Sequence, residues 1–124
     1  MNTLLDFYYK TRQRFPDITK KADAIHIKYW GDLDPEYAYS WFESLAKTIN
    51  IDMANGVNYE IHKELFEFME ESAQNGVNEI FNCIDVAFIE NLFWQVPKQG
   101  IDEYWPPLPH LLKELYGNFH GHAP

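Results

Sequence analysis

The sequence predicts an all-α protein, a single-domain bundle of about five to six helices with a central antiparallel hairpin. Apolar residues recur at helical spacing along most of the chain, and no period-two alternation extends beyond a few residues. A length of 124 residues suits one hydrophobic core, and 46% hydrophobic residues with 17% aromatics can fill it. We therefore expect residues 1–124 to form one domain, with residues 118–124 as a frayed tail.

The first two helices are expected over residues 2–14 and 18–29. Pro16 is expected to end the first helix, Asp17 to cap the second, and Gly31 to stop it. Apolar residues at helical spacing predict that their buried faces contain Leu4, Leu5, Tyr8, Tyr9, Ile18, Ala22, Ile25 and Tyr29.

A third helix is expected over residues 35–50. Asp34 can cap it and Pro35 suits its first position. Its predicted apolar face contains Ala38, Trp41, Phe42, Leu45 and Ile49. Residues 52–58 contain an Asn-Gly pair and are expected to form a turn.

Helices over residues 58–74 and 78–95 are expected to form the central hairpin, because Asn75-Gly76 leaves only a short connection. The first is amphipathic, and its apolar face contains Ile61, Leu65, Phe68, Met69 and Ser72. Its opposite face carries a glutamate stripe, which consists of Glu60, Glu64, Glu67 and Glu71. The second helix is apolar on most sides, which places it in the middle of the bundle.

The last part of the chain is expected to be a loop followed by one helix. Residues 96–109 contain four prolines and carry Tyr104 and Trp105. The final helix is expected over residues 108–117, and Gly117 is expected to end it.

The charge distribution argues against nucleic-acid binding and for a basic partner. The chain has a net charge of −9, and residues 29–97 carry thirteen acidic but only two basic residues. Such a region repels phosphate backbones and attracts basic proteins. The alternative is that acidity only keeps the protein soluble.

Few residues point to catalysis or metal binding. No glycine-rich phosphate loop occurs, and Cys83, alone within an apolar helix, is expected to be an unreactive packing residue. His120 and His122 could approach one metal ion, but a metal site needs more ligands, so we expect neither metal nor cofactor. The Glu70-Glu71 and Asp102-Glu103 pairs lack the predicted burial that separates the pKa values of catalytic carboxylates. We expect no enzyme activity.

The chain's start lacks the pattern of a secretory signal, and no stretch of about 20 apolar residues could cross a bilayer. With a single cysteine, no internal disulfide can form. We expect a cytoplasmic protein with no membrane partner.

Two neighbouring segments carry a resemblance to a known family. Residues 64–71 read ELFEFMEE, residues 77–92 read VNEIFNCIDVAFIENL, and the second segment ends in a phenylalanine-aliphatic-glutamate-x-leucine pattern, FIENL. This pairing resembles bacterial immunity proteins encoded beside polymorphic toxins, including those of contact-dependent growth inhibition systems. The resemblance implies an all-α protein that binds one cognate toxin and blocks its active site or its assembly. It transfers no site residue to this chain.

The leading hypothesis is therefore an immunity protein that neutralises a basic, nuclease-type toxin by stoichiometric binding. We expect the glutamate stripe to make the main contacts with the toxin. The alternative is that the stripe is only a solvated helix face. Secondary contacts are expected from Trp30, Asp32, Asp34, Glu36 and Tyr37. A second hypothesis is a scaffold or regulatory module that forms a homodimer through exposed Tyr104 and Trp105, and a third is an enzyme with an acidic pocket.

Overall fold

The chain, described over all residues 1–124 by a computed structural model, is all-α and has no strand. Seven α-helices are α1 (Leu4–Arg14), α2 (Pro16–Trp30), α3 (Ala38–Ala54), α4 (Lys63–Asn75), α5 (Asn78–Asn82), α6 (Lys98–Tyr104) and α7 (His110–His120). Two 3₁₀ turns, Pro35–Tyr37 and Tyr59–Ile61, precede α3 and α4, and a π-helical segment, Cys83–Ile89, continues α5. The predicted class is confirmed, and the helices slightly outnumber the prediction.

Helices α1 and α2 are joined more tightly than the sequence predicts. The Thr3 hydroxyl caps α1 by accepting the Asp6 N–H at 3.1 Å. Pro16 occupies the first position of α2, where its missing N–H costs no hydrogen bond, so the predicted cap at Asp17 was wrong. The predicted face of α1 was also wrong in part, because Phe7, Tyr8 and Thr11 are buried while Leu5 and Tyr9 are exposed.

Helix α3 forms the centre of the fold. It packs against α1, α2, the π-helical segment and α6. The predicted apolar face of α3, from Ala38 to Ile49, is buried as expected. Phe42 stacks on Phe7 of α1 at 4.7 Å between ring centroids, and Phe7 in turn lies 5.8 Å from Phe68 of α4. This stack ties the three helices together.

Helix α3 also runs through the start of the predicted turn at residues 52–58, so Asp52 is helical and buried. Its carboxylate binds His62 at 2.8 Å and the Lys21 ammonium at 3.4 Å. A second ion pair joins Arg12 to Asp23, with distances of 2.6 and 2.9 Å, and the Trp41 indole N–H donates to Asp23 at 2.8 Å. These polar groups fix the packing of α1, α2 and α4 around α3.

The hairpin of α4 and α5 exists, but both predicted arms are interrupted. His62 separates the 3₁₀ turn from α4, and the Ile61 side chain is 70% exposed rather than buried. The remaining predicted core residues of this arm, Leu65, Phe68, Met69 and Ser72, are buried. The π-helical segment lies in the middle of the bundle, as predicted for the apolar helix.

Regular helix ends at Ile89 rather than at residue 95. Phe93 and Gln95 adopt left-handed backbone angles, with φ of 68° and 56°. Such angles are unfavourable for residues with bulky side chains, so the surrounding structure must impose them. Trp94, between them, is 68% exposed instead of facing the core.

The predicted loop over residues 96–109 contains α6, and its aromatic residues face inward. Tyr104 is fully buried and donates its hydroxyl to the Val57 carbonyl at 2.7 Å. Trp105 is half-buried and packs edge-on against Phe93 and Tyr116. Tyr104 is therefore a core residue and not exposed as expected, and of the two aromatic residues only Trp105 remains partly accessible.

Helix α7 extends to His120, past the expected end at Gly117. Gly121 follows with a φ of 78°, a left-handed conformation that commonly ends helices and favours glycine. The His120 ring stacks on Tyr116 at 4.0 Å between centroids. Residues 118–120, which were expected in a frayed tail, therefore belong to α7.

Replacement of two helical glycines by alanine is expected to change the stability in opposite directions. A Cβ on Gly100 would lie 2.9 Å from the Met53 carbonyl oxygen of α3 and 2.8 Å from Val96, whereas one on Gly117 meets nothing within 4 Å. We expect Gly100→Ala to lower the free energy of unfolding by about 1 to 3 kcal/mol through overpacking. Gly117→Ala, the matched control, is expected to raise it by about 0.5 to 1 kcal/mol. Urea unfolding measures both, and an unchanged Gly100→Ala variant would contradict the close approach of α6 to α3.

Candidate functional site

The glutamate stripe lies on the surface of the molecule. Glu64, Glu67 and Glu71 are exposed on the outer side of α4, opposite its buried apolar residues. Glu60 is exposed on the preceding 3₁₀ turn, where the Asn58 side chain accepts its N–H at 3.0 Å. The four residues are thus accessible as predicted, but they lie on two short elements rather than on one continuous helix.

No lysine, arginine or histidine nitrogen lies within 4.0 Å of a stripe carboxylate. The negative field of the stripe is felt at Tyr59, a buried residue beside it. Burial, together with the charges of Glu67, Glu60 and Glu70, raises the pKa of Tyr59 to about 12. The stripe therefore presents largely uncompensated negative charge to solvent.

One end of the stripe has basic neighbours that sequence spacing along α4 does not reveal. Glu71 shares a surface hollow of about 270 Å³ with Lys10 and Arg14 of α1. The Arg14 guanidinium lies over the Phe68 ring at 5.2 Å from its centroid. Cations of α1 therefore lie beside the Glu71 end of the stripe.

The secondary site residues cluster where α2 ends and the first 3₁₀ turn begins. Trp30 and Tyr37 are 54% and 58% exposed, and Asp32 and Glu36 are exposed beside them in the chain. Asp34 is half-buried and accepts the Glu36 N–H at 2.9 Å, so it caps the turn. Four of these five side chains are free to meet a partner, whereas Asp34 also has a structural task.

These secondary residues and the stripe have different packing neighbours. The Pro35–Tyr37 turn packs against α1 and α3, whereas α4 packs mainly against α5 and the Tyr59–Ile61 turn. No hydrogen bond, ion pair or shared hollow joins the two groups. The structure therefore provides two separate acidic surfaces.

Three other glutamates hold helix starts in place. Glu79 accepts the N–H of Leu4 at 2.7 Å, at the start of α1. Glu70 accepts the N–H of Leu111 at 3.0 Å, at the start of α7. The first N–H groups of a helix have no partner within it, and a carboxylate also suits the positive end of the helix dipole.

The third of these glutamates, Glu103, accepts the Tyr59 N–H at 3.0 Å. Its neighbour Asp102 binds Lys98 on the surface at 2.7 Å. Neither Asp102-Glu103 nor Glu70-Glu71 thus forms a buried pair. Capping across 41 to 75 residues of sequence leaves no local pattern, so sequence reasoning could not find it.

Buried reactive groups are few. Burial raises the pKa of the Cys83 thiol well above its ordinary range, which suits the predicted packing role. The Asp52–His62 pair is the most buried acid–base pair, with both side chains less than a tenth exposed. No group of three or more histidine, cysteine, aspartate or glutamate side chains is arranged to hold a metal ion.

Two carboxyl groups of the π-helical region, those of Asp85 and Glu90, have raised pKa values. Desolvation raises the pKa of Asp85. Desolvation, and then the Asp85 charge, raise the pKa of Glu90, while His120 lowers it. The folded state therefore holds these protons more tightly than the unfolded chain does.

We expect Glu90→Gln to raise the unfolding temperature at pH 7. A raised carboxyl pKa means that ionised Glu90 destabilises the fold once the pH exceeds its ordinary pKa of 4.5, and the neutral amide removes this penalty. Thermal unfolding from pH 3 to pH 8 measures the effect. The difference from the unmodified chain should vanish at the acidic end, where Glu90 is protonated, and a constant difference across the range would contradict the electrostatic cause.

None of the helices combines the length and the hydropathy that a membrane-spanning segment needs. Neither the curated proteins nor the solved structures contain a match to this chain. A family described as a domain of unknown function, DUF7674, matches residues 10–121. The match spans α2 to α7 and the C-terminal part of α1, including both acidic surfaces. The chain therefore belongs to the DUF7674 family.

Proposed function

We propose that this chain is an immunity protein that binds a basic, nuclease-type toxin in the cytoplasm and neutralises it by forming a stoichiometric complex. The observation that carries the proposal is the glutamate stripe, whose four carboxylates are exposed without a cation within 4.0 Å. Likeness of the α4–α5 hairpin sequence to immunity proteins gives the class of partner. The protein contributes affinity and performs no chemistry.

Uncompensated charge on one helix face is better explained by a partner than by stability. Neighbouring glutamates three and four residues apart repel one another, which costs a few tenths of a kcal/mol per pair in an isolated helix. A basic partner replaces this repulsion with attraction and is also steered toward the stripe during diffusion. Nucleases that bind phosphate backbones carry clustered lysine and arginine, which is the complementary surface.

The surface around Trp30 and Tyr37 supplies what the stripe lacks. Aromatic side chains that can be desolvated carry much of the energy of protein interfaces, whereas exposed charges contribute mainly to association rate. Because the two surfaces are separate, a toxin domain that contacts both must bridge them. A toxin that contacts one alone is expected to use the stripe.

Reversing two stripe charges tests the proposal. We expect Glu64→Lys/Glu67→Lys to slow association with the toxin encoded beside this chain's gene by at least about tenfold at low salt, because steering is lost. Both positions are exposed, so the unfolding temperature should change little. Stopped-flow or surface-plasmon kinetics between 20 and 500 mM salt measure the rate constant and its salt dependence.

The matched control reverses two exposed acids of α6 and α7, as Asp102→Lys/Glu114→Lys. Each double variant shifts the net charge from −9 to −5. The control also removes two exposed contacts, Lys98–Asp102 and His110–Glu114, so its unfolding temperature is measured first. The control is expected to associate faster than the stripe variant. Equal rate constants for the two variants would show that the stripe is only a solvated helix face. A failure of the unmodified chain to bind the toxin at nanomolar concentrations would refute the immunity function.

A further inference from the structure

A groove follows the line along which α2 and α3 pack against each other. Two adjoining hollows of about 320 and 360 Å³ form it, and both are lined by Ile25 of α2 and Ile51 of α3. Lys21 lines one end and Tyr29 the other. Eight residues of helix separate these two positions, so the groove is roughly 12 Å long, about two turns of an α-helix.

The Tyr29 end of the groove is aromatic. Trp94 lines it together with Tyr29, and their side chains are 68% and 58% exposed. The Ile51 side chain, between them and the rest of the groove, is 47% exposed. Large apolar side chains that remain exposed in one hollow are typical of a binding surface, and tryptophan and tyrosine are the usual anchors.

The fold holds Trp94 in this exposed position at a cost. Its neighbours Phe93 and Gln95 both have left-handed backbone angles. The buried Asn50 side chain holds the backbone just before Trp94, since it donates to the Asn91 carbonyl at 2.9 Å and accepts the Phe93 N–H at 2.8 Å. Unfavourable backbone angles that the core enforces are concentrated at functional sites. The same is true of π-helical segments such as the one that ends at Ile89.

The groove is basic although the chain as a whole is acidic. Lys21 and Lys47 line it, and the Lys47 ammonium lies 4.6 Å from the centroid of the Tyr29 ring. Lys28 lies over the same ring at 5.4 Å. The one carboxylate in the lining, Asp52, is buried and pairs with Lys21 at 3.4 Å, so the unpaired positive charge comes from Lys47, with Lys28 beside it at the Tyr29 end. An occupant therefore meets apolar surface flanked by positive charge.

We propose that the groove between α2 and α3 binds an acidic amphipathic segment of a partner protein, with apolar side chains against Ile25, Ile51 and Trp94 and carboxylates toward the lysines. A groove of two helical turns takes anchors spaced three, four and seven residues apart, the spacing that an amphipathic helix presents. Charge complementarity selects carboxylates over lysine and arginine in the occupant.

The same charges disfavour other anions and a second copy. A nucleic acid or an anionic membrane brings many negative charges toward a chain whose net charge is −9, whereas a short segment brings only a few. Two copies joined by a two-fold axis through this groove would place the lysines of one against those of the other. This inference does not depend on the immunity function, because the groove shares no residue with the glutamate stripe or the surface around Trp30 and Tyr37.

The test is selection from a phage-displayed library of random 16-residue peptides against the full chain. We expect the enriched peptides to carry an excess of aspartate and glutamate around apolar residues at helical spacing. Fluorescence anisotropy of the labelled peptides then gives Kd values. Trp94→Ala and Lys47→Glu should each weaken binding at least tenfold.

Control variants separate the groove from the rest of the surface. Ile61→Ala removes an equally exposed apolar side chain outside the groove, and Glu64→Lys/Glu67→Lys changes only the stripe. Both should bind the selected peptides with unchanged Kd. Trp94 and Lys47 variants are first checked for an unchanged unfolding temperature, and Ile51→Glu, at another exposed position of the groove, gives an independent measurement.

The proposal is overturned if no peptide is enriched, if the enriched peptides lack an acidic excess, or if they bind the Trp94→Ala variant as tightly as the unmodified chain. It is also overturned if single-stranded DNA or phosphatidylserine vesicles bind in a Trp94-dependent way. A dimer in sedimentation that Trp94→Ala dissociates would identify a second copy as the occupant instead.

Discussion

The buried polar side chains of α3 need hydrogen-bond partners within the protein, because they are shielded from water. This constraint positions much of the remaining chain. Eleven of the 17 residues of α3 are buried. Thr48 hydrogen-bonds to the preceding turn of α3, but Asn50 and Asp52 reach partners outside the helix. Unpaired, each would cost on the order of 1 to 3 kcal/mol or more. Asn50 therefore determines the path of residues 91–93, and Asp52 holds His62 at the break before α4.

The acidic residues divide into groups with different physical roles. Those of the stripe accept no hydrogen bond from the protein, whereas Glu70 and Glu79 cap helices that are distant in sequence. A carboxylate that accepts a helix N–H stabilises the fold and is not available to a partner. Charge counted along the chain therefore overstates the charge that a binding surface can offer. The stripe carboxylates have no such partner within the protein and remain available to one outside it.

Sequence periodicity correctly predicted the helices that bury one apolar face. It failed where tertiary contacts, rather than the helical spacing of apolar residues, determine which side chains are buried. The core side of α3 and most of α4 were predicted residue by residue, as was the exposure of the stripe. Helix α6 was missed because prolines flank it on both sides. A segment with several prolines was interpreted as a loop, although the residues between Pro97 and Pro106 contain no proline. The exposure of Trp94 was not predicted, because the left-handed angle at Phe93 is accompanied by a hydrogen bond to Asn50, 43 residues earlier in the chain. The groove beside Trp94 was missed for the same reason.

An acidic stripe and a basic groove can coexist on one small chain because water and salt confine their fields. At physiological ionic strength the Debye length is about 8 Å. A compact chain of this length has a radius of gyration of roughly 14 Å, so charges on different faces are separated by more than one Debye length. A partner approaching Lys21 and Lys47 at close range therefore meets their local positive potential, even though the net charge is −9. At low salt the screening weakens and the net charge dominates. The stripe and the groove consequently differ in their response to salt. The stripe attracts its basic partner most strongly at low salt. The groove is the opposite case, because the long-range repulsion between the chain and an acidic segment is greatest at low salt.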